Sequence, residues 1–213
     1  MTAYLPETAT LLAYTAACIV LFATPGPDMS LFLSQTIAGG RRAGLAAMAG
    51  ARVGCCLHSL VAALGLSALI AASATAFTVL KVVGALYLLW LAIDAIRRGS
   101  ALALAGRRPA PSLWRTFMLG LGINLTNPKV VLFFVTFLPQ FVSATDPHAS
   151  DKLLVLGFYF VLVSLPLAIA MVLLADRFVA ALTRRPGVVR ALDYSFAAVF
   201  ALFAIRIAIL PSR

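Results

Sequence analysis

The chain has 213 residues, of which 62% are hydrophobic and only 11% charged, with a mean hydropathy of +1.02. Soluble domains carry about 25% charged residues, so an ordinary water-soluble fold is excluded. Several nearly charge-free stretches of about 18 or more residues mark a polytopic membrane protein of one domain. The net charge of +10 comes from 17 basic and 7 acidic residues. Most of the basic ones lie in short links between apolar runs, the positive-inside pattern of a membrane protein rather than a nucleic-acid surface.

The opening Met-Thr-Ala-Tyr-Leu-Pro-Glu lacks the basic flank of a signal peptide, so the first apolar run is expected to stay as a span. Six spans can be drawn, at about 8–38, 43–71, 74–97, 113–142, 152–175 and 188–210. Span 1 is longer than the roughly 20 residues a crossing helix needs. It is interrupted midway by Thr24-Pro25-Gly26-Pro27-Asp28, where proline removes an amide donor and clashes with the preceding turn. Broken backbone at membrane depth is tolerated only where protein or a water-filled cavity covers it.

Arg41 and Arg42 separate spans 1 and 2. Arg97, Arg98, Arg107, Arg108 and Arg115 surround the link at 99–112, and Arg177, Arg184, Arg185 and Arg190 the link between spans 5 and 6. The alternate links are poor in basic residues, so the rich ones belong in the cytoplasm and both termini outside. Span 2 carries Arg52, at the depth of Asp28 if spans 1 and 2 pack antiparallel, and His58 on a face with Gly50, Gly54 and Gly65. Small residues let a neighbouring helix come close; the stripe could serve inside one bundle or between two copies. Cys18, Cys55 and Cys56 have no disulfide or metal spacing and read as packing thiols. Lys81 and Arg206 read as interface anchors; Tyr87, Trp90 and Trp114 as an aromatic belt.

Span 4 repeats the pattern of span 1. It is long, and it is interrupted halfway at Asn124-Leu125-Thr126-Asn127-Pro128-Lys129. With three spans in each half, the halves, about 1–98 and 113–213, must be inverted relative to one another. Interrupted spans at matching positions of inverted repeats point to a transporter's midplane site. The expected fold is therefore an all-α integral membrane protein of two inverted three-helix repeats. Asp28 is read as partner of a substrate ammonium or proton carrier, and alternatively as cap of the half-helix starting near Met29. Lys129 and the amides after Pro128 are candidates for a substrate carboxylate or a buried partner. His58 is either a proton relay or a packing histidine.

Pro25-Gly26-Pro27-Asp28, the turn Gly39-Gly40-Arg41-Arg42-Ala43-Gly44, Leu64-Gly65-Leu66 and Lys81-Val82-Val83-Gly84-Ala85-Leu86-Tyr87-Leu88 resemble the first half of the lysine exporter/homoserine–threonine resistance (LysE/RhtB) family. Asn124, Asn127-Pro128-Lys129, Phe133-Phe134 and Leu138-Pro139-Gln140-Phe141 resemble its second half. The resemblance implies a six-span, proton-driven exporter of amino acids or their derivatives in the bacterial inner membrane, with no cofactor and no enzymatic activity. From the two breaks and their charges, the substrate site is expected at Pro25, Gly26, Pro27, Asp28, Asn124, Asn127, Pro128 and Lys129, with proton coupling at Asp28 and His58. Asp28 stands where many members carry asparagine, and Arg52, Asp193 and Tyr194 also depart from the pattern. A metal-ion transporter is disfavoured because only Asp28 is expected deep in the membrane. A thiol-redox protein is disfavoured because the second half has no cysteine. The expected partners are an amino-acid-like substrate, protons and lipid, with no metal and no nucleic acid.

Overall fold

The computed structural model describes residues 7–98, 112–143, 146–184 and 186–209. Every regular element among them is helical. Helix α1 spans Thr8–Ala23 and α2 Pro27–Val61; α2 runs through a π-helical turn, Ala62–Leu66, into α3, Ser67–Ala72. Helix α4 is Ala74–Arg98 and α5 Leu113–Thr126. Helix α6, Pro128–Leu132, continues through a π-helical turn, Phe133–Phe137, and a 3-10 turn, Leu138–Phe141. Helices α7, α8 and α9 are Ala149–Leu173, Ala175–Arg184 and Pro186–Ile209. The basic link at 99–111, Arg185 and the side chain of Arg206 lie outside the described residues.

Both expected breaks are present. α1 ends at Thr24, whose backbone is extended, and the chain restarts with Gly26 as N-cap and Pro27 in the first turn. α5 ends at Asn127, also extended, and Pro128 opens α6. Proline suits the first turn because its missing amide would find no partner there. The arms Leu113–Thr126 and Pro128–Phe141 meet at 53°.

Helix α2 is not one rod. Gly40 has φ 76° and ψ 179°, a conformation available to glycine and strained for other residues. A Cβ at Gly44 would lie 1.9 Å from Thr36 Oγ1. Residues eight apart in a straight helix are about 12 Å apart along the axis, so the chain doubles back at Gly40. The 27–39 arm completes the first apolar run, and the 41–61 arm begins the second. This is the expected boundary at Arg41 and Arg42, compressed to a one-residue turn.

By length and composition, the stretch Pro27–Leu66, folded back at Gly40, and helix Ala149–Leu173 are apolar enough to cross a membrane, and the bent pair 113–126/128–141 makes a third when counted as one span. The 41–61 arm lies alongside α5, running the same way: Gly50 meets Phe117 and Leu121, and four residues on Gly54 meets Asn124. A Cβ at Gly50 would fall 1.9 Å from the Phe117 carbonyl oxygen, and one at Gly120 2.0 Å from that of Ala47. The glycine stripe is thus an internal contact. Gly65 is not part of it: nothing lies within 4 Å of a Cβ there. The π turn at 62–66 inserts a residue and rotates the later positions off the face.

Two apolar clusters sit above and below the breaks. One gathers Tyr14, Phe133, Phe134, Phe137, Leu153 and Phe160; Tyr14 donates to the Leu156 carbonyl at 2.9 Å. The other gathers Met29, Phe32, Ala47, Met48 and Met171. Tyr87, Trp90 and Trp114 are exposed, as a belt requires. Lys81 Nζ lies 5.2 Å over the Phe77 ring rather than extending freely outward. The link between spans 5 and 6 carries a helix of its own, α8. Its Arg177 and Arg184 are exposed while Phe178 and Val179 pack against the second cluster, the pattern of an interfacial helix.

Gly120→Val should overpack the α2–α5 contact by about 1–3 kcal/mol or more, lowering the thermal midpoint in detergent. Gly122→Ala, with nothing within 4 Å of its Cβ, should leave that midpoint within about 0.5 kcal/mol. In the loop before α7, Lys152 and the His148 amide hold Asp146 below the usual carboxylate range. A depressed folded pKa gives stability that is complete above the unfolded value of about 3.9 and is lost as pH falls through the lower folded value. Asp146→Asn should therefore lower the midpoint at pH 7 and change it less at pH 3.

Candidate functional site

The two breaks face each other across a shared, partly open cavity. Thr24, Gly26 and Asp28 line it from the first break, Asn127 and Lys129 from the second, and Arg52, Cys55 and Phe160 from flanking helices.

Asp28 is in the first turn of α2, but no side chain caps that helix, so the capping alternative is set aside. Its carboxylate reaches across instead. Asn124 Nδ2 donates to Oδ2 at 2.6 Å, and Asn127 Nδ2 donates to Oδ1 at 3.1 Å. An ionised carboxylate only accepts, so both amides must present their NH₂ groups to it. Their oxygens then point elsewhere. Asn127 Oδ1 accepts from the Lys129 backbone amide at 3.1 Å and caps α6; Asn124 Oδ1 accepts from the Cys55 thiol at 3.6 Å.

Lys129 makes the reciprocal crossing. Its Nζ donates to the Thr24 carbonyl at 2.7 Å, an acceptor at the end of α1, where helix carbonyls lack intrahelical partners and carry partial negative charge. The same Nζ lies 5.5 Å over the Phe196 ring, and a Cβ at Gly26 would be 3.7 Å from it. Pro27-Asp28 and Pro128-Lys129 are thus equivalent dipeptides of opposite charge, each anchored on the other's break. Lys129 does not snorkel to an interface.

His58 Nε2 is 3.4 Å from the Asn124 carbonyl, and its ring stacks on Phe134 at 5.5 Å. A carbonyl only accepts, so Nε2 carries the proton in this contact. His58 is half-buried and is not a lining residue; it reaches the cavity through Asn124.

Two further charges belong to the site. Arg52 does not pair with Asp28: its Nη1 donates to Ser164 Oγ, its carbon Cζ lies 5.9 Å over the Phe22 ring, and it is 8% exposed. Asp193, expected near the start of span 6, is 2% exposed and within electrostatic range of Lys129. Asp28 is therefore not the only deep acid. A charge inside an apolar run was the available signal for both; which cavity they meet depends on helix packing. Asp28, Asp193, Lys129 and Arg52 sum formally to zero. Cys18, Cys55 and Cys56 are free, the first two buried.

Residues 19–210 match the LysE type translocator family. The chain is 32% identical over 190 residues to the homoserine/homoserine lactone efflux protein of Salmonella typhimurium, covering 89% of this chain and 91% of that one. It is 28% identical over 155 residues to the leucine efflux protein of an Enterobacter species, covering 71% and 72%. It is 36% identical over 146 residues to an uncharacterized membrane protein of Vibrio cholerae, covering 68% and 71%. No solved structure matches. Apolar broken helices around a shared polar cavity and this match over most of the sequence lead to one conclusion: the chain belongs to the LysE type translocator family, and is a membrane transporter rather than an enzyme.

Proposed function

We propose that this protein is a secondary exporter of amino acids or their derivatives, working by alternating access in the bacterial inner membrane. The observation that carries the reading is the cavity closed by two half-helix ends tied together through Asp28 and Lys129. Relatives named for efflux of homoserine, homoserine lactone and leucine support the cargo class. The fold in the bilayer is six spans in two inverted repeats with both termini outside. The doubling back at Gly40 and the parallel run of 41–61 beside α5 support that topology, because both helices then start beside a basic link.

Asp28 receives the substrate ammonium. Two of its roughly four lone-pair sites are taken by Asn124 and Asn127, which leaves acceptor capacity for a cation. Pro25, Gly26, Pro27, Asn124, Asn127, Pro128 and Lys129 frame the site. Lys129 acts on the Thr24 carbonyl, so it latches the two half-helices rather than holding free cargo.

Coupling uses the same carboxylate. A proton entering from outside neutralises Asp28, weakens its hold on an ammonium, and releases the cargo outward; His58, joined through Asn124, is the relay. Each proton contributes about 2.3 kcal/mol per 100 mV of potential, which sustains a gradient of about fortyfold at 1.4 kcal/mol per tenfold.

In proteoliposomes, Asp28→Asn should cut efflux at least about tenfold, consistent with loss of a charge-assisted contact, and an uncoupler should abolish accumulation by the wild type. Uphill efflux persisting in fully de-energised vesicles would overturn proton coupling. Lys129→Met strips the Thr24 carbonyl of its side-chain donor and should destabilise the fold by about 1–3 kcal/mol, read as a lower denaturation midpoint.

A further inference from the structure

Arg52 is a charged group of the cavity with a buried donor, Nε, that no acceptor of the protein reaches. Its guanidinium stays ionised in proteins, yet it is only 8% exposed. Its one hydrogen-bond partner, Ser164, is neutral and itself donates to the Phe160 carbonyl at 2.7 Å. Ser164 is thereby locked as an acceptor towards Arg52. No acceptor of the protein reaches the buried Nε, and among the described residues no carboxylate forms an ion pair with this side chain. A buried cation served by one neutral hydroxyl is costly unless a further partner arrives.

The other cation, Lys129, differs. It has the Thr24 carbonyl, with Asp28 and Asp193 within electrostatic range. Asp28 lines the same cavity as Arg52 without pairing to it, so a carboxylate with spare acceptor capacity and a guanidinium with no anionic partner border a common space. An α-amino acid carries an ammonium and a carboxylate on one carbon and would bridge them.

We infer that Arg52 is the carboxylate anchor of this site, so that the cargo is a zwitterion with a free α-carboxylate, and esters, amides and, in contrast to the name of the Salmonella typhimurium relative, lactones are poor substrates. The assignment rests on the exporter reading and narrows its substrate class. A guanidinium recognises a carboxylate through paired N–H donors in a plane, and lysine cannot reproduce that fork. Removing the carboxylate's charge while keeping its shape should therefore be penalised, because the desolvated guanidinium would remain without a counter-charge.

The test uses the full chain in proteoliposomes, measuring counterflow of a panel of neutral L-amino acids against their matched α-amides. The wild type should exchange acids over amides by at least about tenfold. Arg52→Gln should abolish most acid exchange and bring the acid-to-amide ratio near one, with Arg52→Lys intermediate. If the wild type exchanges acids and amides alike, or Arg52→Gln keeps the preference for acids, the anchor assignment is overturned while the exporter reading stands. If no amino acid of the panel exchanges, the exporter reading falls and the assignment with it. Should Arg52→Gln fail to give a monodisperse protein, the wild-type acid-to-amide ratio decides alone.

Discussion

The crossed attachment of the two helix breaks is the constraint from which the interior of this protein follows. A carboxylate two residues past one break is held by two asparagine amides of the other, and an ammonium two residues past that other break is held by a carbonyl of the first. Each break creates unpaired backbone groups in an apolar setting, where such groups are expensive. Each also supplies part of what satisfies its counterpart. Straightening either rod would bury unpaired groups in both.

The packing around the breaks serves the same end. Gly50 and Gly120 bring the 41–61 arm of α2 against α5 at backbone contact, which seats Asn124 where it can reach Asp28, Cys55 and His58 at once. The aromatic cluster of Tyr14, Phe133, Phe134, Phe137 and Phe160 lies on one side of the breaks, and the methionine-containing cluster on the other. A polar layer between two apolar ones strengthens every electrostatic interaction within it, because the local dielectric is low. That is why four charges can stand there with so few direct ion pairs: their formal sum is zero, and most of their hydrogen bonds go to neutral groups.

Asn124 occupies the junction. Its side chain serves Asp28 and Cys55 and its carbonyl serves His58, so a change in the charge of Asp28 alters the pull on the amide next to the His58 contact. In the proposed exporter this is the physical route by which protonation and cargo occupancy at Asp28 would be felt by the helix carrying the histidine, without requiring that the histidine line the cavity.

Much of this was written in the chain. Periodic absence of charge over long stretches, basic residues confined to short links, and Pro/Gly interruptions at matching positions are local features, and they define the element boundaries and the two breaks. Pro27-Asp28 and Pro128-Lys129 likewise declared themselves, because charge beside a mid-run proline has few structural excuses. What the chain could not declare was partnership. That Lys129 spends its ammonium on the Thr24 carbonyl, that Arg52 turns to Ser164 instead of Asp28, that Asp193 reaches the same layer, and that Gly65 leaves the glycine face after a π turn all depend on helix rotation and on which helices become neighbours. Those are set by contacts between residues about 100 or more positions apart, as Arg52 with Ser164 and Thr24 with Lys129 illustrate, and only the assembled tertiary structure decides them.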